Sequence, residues 1–194
     1  MSEADVRELI QARIAEGVAA IESLADESIV AAIERAATLV TAALDRGGKL
    51  LVFGNGGSAA DAEHIAAELV GRYLRERRAL AAVALVGGAP ALTAIANDYG
   101  YDAVFARQVE ALGAAGDVAL GITTSGVSPN VERGLEVART RGLSTIALTG
   151  PTTGAIREIC DVTIAVAAVG TPRIQEAHGF IGHLLCELVE SRLT

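Results

Sequence analysis

Residues 54–73, GNGGSAADAEHIAAELVGRY, place a glycine-rich turn before a helical pattern and set His64 and Glu68 four apart within it. Glycines let the backbone turn sharply and bring its N–H groups close to an anion, and the start of the following helix adds positive potential. Ser58 is positioned to cap that helix. His64 and Glu68 share one helical face, a spacing that can hold a metal or move protons. Alone, such a pair is more commonly a surface hydrogen bond; its place on the first helix after the turn gives it weight. A second polar stretch, GITTSGVSPN (121–130), offers Thr123, Thr124, Ser125 and Ser128 between an apolar run and a helix start. A capped turn needs one hydroxyl, whereas four of them with helix-start amides can hold a phosphate without Lys or Arg. The C-terminal stretch RIQEAHGFIGHLLCELVE (173–190) adds Gln175, His178 and His183. At about 100° per residue, His178 lies roughly 60° to one side of Gln175 and His183 roughly 80° to the other, so helical geometry does not choose between them. His183 has apolar neighbours (Phe180, Ile181, Leu184, Leu185), the usual setting of a hydrogen-bonded core histidine.

These residues need a scaffold, and the hydropathy pattern supplies one. Apolar runs at 50–54, 80–86, 117–123, 144–150 and 161–166 read as buried strands. Helical patterns lie between and after them, at 58–73, 91–97, 102–113, 129–141, 152–158 and 173–192. Continuously apolar strands alternating with helices predict a five-stranded parallel sheet covered on both faces, a doubly wound αβα sandwich. Two helical patterns, 3–24 and 28–46, precede the alternation. They divide the chain into an N-terminal helical pair (1–47) for subunit contact and the alternating α/β unit (48–194) that carries the candidate anion loops, one compact body overall. Leu9, Ile10, Ile14, Val18, Ile21 and Leu24 give the first helix an apolar stripe, and homo-oligomerisation is expected from it.

Half the 194 residues are hydrophobic but only 3% are aromatic, so Ala, Val, Leu and Ile must fill the core. A net charge of −8 disfavours general nucleic-acid binding. The one basic cluster, RYLRERR (72–78), reads as a solvated helix end. No apolar run approaches membrane-spanning length. The acidic N-terminus does not read as a signal peptide. Cys160 and Cys186 lack metal-type spacing and read as small reduced core residues of a cytoplasmic protein. No Gly-Lys-Ser/Thr tripeptide forms a Walker A loop. Gly54, Gly56 and Ala59 fit a dinucleotide fingerprint, but the next strand ends in Val86-Gly87-Gly88 without the acidic residue that ribose requires.

Taken together, GNGGSAADAEHIAAELVGR, AIANDYGYDAVFARQ, GITTSG, IALTG and RIQEAH resemble the sugar isomerase (SIS) domain family, and within it the phosphoheptose isomerases, over residues 50–190. The resemblance implies a flavodoxin-like SIS fold and a zinc-dependent isomerase acting on sedoheptulose 7-phosphate. It implies one Zn2+ per subunit, held by His64, Glu68, Gln175 and His183, with His178 unassigned. It maps substrate contacts to Asn55, Gly56, Gly57, Ser58, Glu68, Asn97, Asp98, Thr123, Thr124, Ser125, Ser128 and Gln175, with Arg72 an additional one. Glu68 is the expected base and His183 its acid–base partner. A homotetramer, a cytoplasmic location and no nucleic-acid or membrane partner complete the expectation. Thr123 and Val127 stand where the family loop has Ser and Asn, and Pro172 stands where it often has an acidic residue. The competing expectations are a non-catalytic SIS relative that binds the replication initiator and a sugar-phosphate-sensing regulator. Retention of both Glu68 and His183 favours the enzyme.

Overall fold

The structure is a computed structural model describing residues 1–194. The five apolar runs become β1 (Leu50–Gly54), β2 (Ala82–Ala84), β3 (Val118–Thr123), β4 (Ser144–Thr149) and β5 (Val162–Ala165). All pair in parallel, in the order β2-β1-β3-β4-β5. Alternation along each strand splits the core in two. Leu50, Val52, Leu120, Ile122, Ile146 and Leu148 face one layer, while Leu51, Phe53, Ala119 and Ala147 face the other. A sheet apolar on both faces demands helices on both.

The first layer comprises α1 (Glu3–Glu22), α2 (Glu27–Asp45), α3 (Gly57–Val70) and α8 (Thr171–Leu193). The second comprises α4 (Ala89–Tyr99), α5 (Val104–Leu112), α6 (Pro129–Thr140) and the single turn α7 (Ile156–Ile159). The doubly wound expectation is met. Of the N-terminal pair, α2 sends Ile33, Ala36, Ala37, Val40 and Leu44 into the same core as the sheet. By contrast, α1 buries Ala20 alone and leaves Leu9, Ile10, Ile14 and Val18 exposed.

Two local expectations are corrected. The run at 80–86 yields only a three-residue strand, because β2 is an edge strand bonded on one side to β1 and Val83 is turned outward. The basic cluster at 72–78 is not a solvated helix end. Helix α3 stops at its C-cap, Gly71, and the following residues run as an irregular strap to β2. Arg77 in that strap is buried, its side chain 1% exposed, against an equally buried Glu190. Cys160 and Cys186 are free thiols, each pushed up to about 12 chiefly by burial.

Candidate active site

The chain leaves β1 toward β2 on one side of the sheet, whereas β3 lies on the other, so the β1/β3 boundary is the switch point where open α/β sheets collect ligands. The glycine turn follows β1 and the hydroxyl loop follows β3, which brings these two distant segments side by side. Asn55 and Asn130 tie them. Asn55 Nδ2 donates to Asn130 Oδ1, and Asn130 Nδ2 donates to Asn55 Oδ1, both at 2.9 Å. Tyr101 Oη also donates to Asn55 Oδ1 at 2.9 Å. Its acceptor is doubly used, and one side-chain N–H of Asn55 keeps no protein partner. Asn130 and Tyr101 were not legible as site residues; only Asn130's place in the first turn of α6 hinted at them.

Gly56 takes the N-cap position of α3 with φ 57°, and no side chain caps the helix. Ser58 is therefore not the expected cap: it is the second helical residue and is buried. The Ser58 and Ala59 N–H groups turn back to the carbonyls of Asn55 and Gly56, which leaves the turn's own amides for a ligand. Across the boundary, Thr123 Oγ1 lies 2.8 Å from Ser128 Oγ and 3.3 Å from Ser125 Oγ, and the two serine oxygens are 3.4 Å apart. Three of the four predicted hydroxyls thus converge, and Thr124 lies beside them, half-buried. Gly126 holds the bend with φ +69°, and any Cβ there would run into the Thr152 carbonyl.

Further along α3, His64 Nε2 is 3.1 Å from Glu68 Oε1 and 3.5 Å from His183 Nε2 of α8. The imidazoles meet edge to face, with ring centroids 4.9 Å apart. His183 is exposed and stands at the site, not in the apolar core its neighbours predicted; His178 is the buried one, its Nε2 3.0 Å from the Thr149 carbonyl oxygen. Burial lowers the His178 pKa, so it stays neutral with Nε2–H donating. Asp61, one turn before His64, lines the same small notch with Glu68, His183 and Cys186. Its carboxyl is pushed up by burial, partly offset by His64, and Oδ2 has no partner.

Glu68, His64 and His183 form a row, not a ring, and no group of three or more His, Cys, Asp and Glu side chains is arranged to enclose an ion as it stands. Their donor chemistry nevertheless fits zinc. Two nitrogens bound to a tetrahedral zinc at about 2.0–2.1 Å lie about 3.3–3.4 Å apart, close to the observed 3.5 Å. One proton on His64 Nε2 serves both neighbours poorly, while a cation in the notch serves all three. Gln175 lies elsewhere. Its amide packs on Gly57, where any Cβ would overlap it. Eight residues separate it from His183, about 12 Å along α8. Asn97 and Asp98 lie exposed at the end of α4, bonded to each other at 2.8 Å. Arg72 is exposed, 3.8 Å from Glu76.

The fold so described is a doubly wound α/β domain whose switch point carries the glycine turn and the hydroxyl loop, with the histidine–carboxylate row further along α3. Residues 5–150 match the SIS domain family model. A phosphoheptose isomerase of Pelobacter propionicus is 57% identical over 160 residues, covering 82% of this chain and 84% of the relative. Among solved structures, the phosphoheptose isomerase of Neisseria gonorrhoeae superposes with a TM-score of 0.89 at 44% identity, covering 96% of this chain and 99% of that one. That of Francisella tularensis superposes with a TM-score of 0.91 at 36% identity, covering 98% and 100%. The chain belongs to the SIS-domain family and, within it, to the phosphoheptose isomerases, which are sugar-phosphate isomerases.

Proposed function

We propose that the chain interconverts D-sedoheptulose 7-phosphate and D-glycero-D-manno-heptose 7-phosphate through an enediol or enediolate. The observation that carries this reading is the meeting of His64, Glu68 and His183 on helices that also border the phosphate-type cradle. The hydroxyls of Thr123, Ser125 and Ser128, the turn amides and the free N–H of Asn55 would hold the 7-phosphate. Binding energy from that remote group then positions the C1–C2 end. The proton on C1 of the ketose is only weakly acidic, so a base and charge stabilisation at oxygen are both needed. Glu68 removes it and returns it to C2, using the carboxylate oxygen that does not face His64. His183 exchanges the protons at O1 and O2.

His64, Glu68 and His183 would hold a zinc ion; Gln175, the fourth ligand that the family resemblance implies, packs on Gly57 and stands outside that set. When bound, zinc polarises a carbonyl oxygen as a Lewis acid. The reaction would open nucleotide-activated heptose biosynthesis, a cytoplasmic process. No helix is long and apolar enough to cross a membrane. A homotetramer would cover the exposed face of α1.

The test is turnover of sedoheptulose 7-phosphate in D2O, with solvent deuterium followed at C2, before and after chelation and zinc return. The expected result is an aldose product carrying deuterium at C2, lost on chelation and restored by zinc. No turnover by zinc-loaded protein would defeat the substrate assignment; full turnover by verified metal-free protein would remove zinc.

A further inference from the structure

Beyond the reacting groups, a buried ion pair ends on the site from two directions. The side chains of Arg77 and Glu190 are each 1% exposed, with Arg77 Nε 3.1 Å from Glu190 Oε1 but off the hydrogen-bond line. The Arg77 guanidinium turns its terminal N–H groups mainly to the end of α3, with one further bond from Nη1 to the Arg78 carbonyl at 2.9 Å. Nη2 donates to the Glu68 carbonyl at 2.8 Å, and Nη1 to those of Leu69 at 3.0 Å and Gly71 at 3.2 Å. Glu190 gathers the strap that follows. It accepts from the backbone N–H of Tyr73 at 3.0 Å, Leu74 at 2.7 Å and Arg75 at 2.8 Å. The Tyr73 ring thereby comes to rest on His183, with ring centroids 5.6 Å apart and planes at 32°. His183 is held between Tyr73 on one side and His64 on the other. Glu190 follows His183 by seven residues on α8, two turns along the same face.

We infer that the Arg77–Glu190 pair is a positioning device for the isomerase site: it sets the end of α3 that carries Glu68 against the stretch of α8 that carries His183, and clamps Tyr73 over the His183 ring. A buried ion pair adds little net stability compared with apolar residues of equal volume, so its value lies in the geometry it imposes. That geometry needs a planar fork at one end and a doubly accepting carboxylate at the other. Lysine cannot spread across several carbonyls, and glutamine would turn an amide N–H toward backbone donors. The inference rests on the reading of Glu68 and His183 as the proton-transfer pair.

Arg77→Lys, Glu190→Gln and Tyr73→Leu test it in the full-length protein. The chain contains only three histidines, so the Hε1 resonances of His64, His178 and His183 are individually assignable by NMR. The expected result is a kcat lower by about 10- to 100-fold with KM within about twofold, because the hydroxyl cradle is untouched. The His183 resonance shifts as the Tyr73 ring moves, while that of His178 stays in place. Tyr73→Leu keeps the ion pair and should reproduce the His183 shift even if either charge variant folds poorly. Folded variants with parental kcat, or with lowered kcat but an unmoved His183 resonance, would overturn the inference. Failure of the isomerase reading itself would show in the parent protein, whereas failure of this inference shows only in the variants.

Discussion

His64 Nε2 faces two partners at once, Glu68 Oε1 at 3.1 Å and His183 Nε2 at 3.5 Å, and the proposed chemistry starts from this crowding. The helical pattern alone left His178 and His183 as equals. The structure separates them because α8 presses one face on the sheet: His178 lies there with Ala177, Ile181 and Leu185, while His183 is on the exposed side. An apolar sequence neighbourhood therefore misled, since on a helix the residues beside a position point elsewhere. The hydroxyl cluster was legible because its spacing is local, whereas the Asn55–Asn130 tie spans 75 residues and has no local signature. The two halves of the site should separate kinetically. Glu68→Gln keeps size and hydrogen bonding but removes the proposed base, so kcat should drop by about 10²- to 10⁴-fold. Ser125→Ala removes one hydroxyl of the proposed phosphate cradle and should raise KM by about 10- to 100-fold, the worth of one hydrogen bond to a charged group, with kcat largely kept. Steady-state kinetics on the two variants checks the division; equal effects on kcat from both would contradict it.

At the scale of elements, four strands and all the long helices followed from hydropathy, because a buried parallel strand must be apolar throughout. What escaped was set by contacts across the fold. Edge pairing shortened β2, and the 71–81 strap looked like a helix end until Glu190, more than a hundred residues away, proved to be its anchor. Glu190 and Asp117 share a further property. Burial raises the carboxyl pKa of each, yet the net shift of each is downward. For Glu190 the backbone N–H groups of Leu74, Tyr73 and Arg75 and the charge of Arg77 outweigh burial. For Asp117 the counterweights are Lys49, with Nζ 2.6 Å away, and the N–H groups of Ala114 and Lys49. A carboxyl held lower in the folded state than in the unfolded chain contributes stability above its unfolded value. That contribution is lost as pH falls through the folded value. Thermal stability should therefore hold from neutrality to about pH 5 and decline below about pH 4.5, the ordinary carboxylate range. Asp117→Asn should lower the plateau and flatten the decline. Melting temperature against pH for both proteins is the measurement, and identical slopes would remove Asp117 from the account.

On the scale of the whole molecule, α1 is the element that one chain leaves unfinished. Its capping box, with the Asp5 carboxylate on the Ser2 N–H and the Ser2 hydroxyl on the Asp5 N–H, starts a regular twenty-residue helix that buries only Ala20. Ile10, Ile14 and Val18 remain 54%, 61% and 51% exposed in one row, rimmed by Arg13, Glu22, Arg173 and Glu176. Isolated exposed apolar residues are ordinary, but a contiguous row with a charged rim is the anatomy of an interface. Arg173 also fixes the angle of this helix, donating to the Arg13 carbonyl at 2.7 Å, so the row is presented rigidly. A second copy of the chain carries the same row and can cover it by two-fold pairing. The parent protein should therefore sediment as a homo-oligomer, a tetramer on the family expectation. Ile14→Glu, which sets one carboxylate on each copy in the middle of the row, should reduce the sedimenting mass without unfolding the sandwich, because Ile14 touches no part of the sheet core. Sedimentation velocity at several concentrations, with circular dichroism to verify the fold, decides it: a parent that is monomeric throughout, or an Ile14→Glu protein of undiminished mass, would show that the row is not the assembly surface.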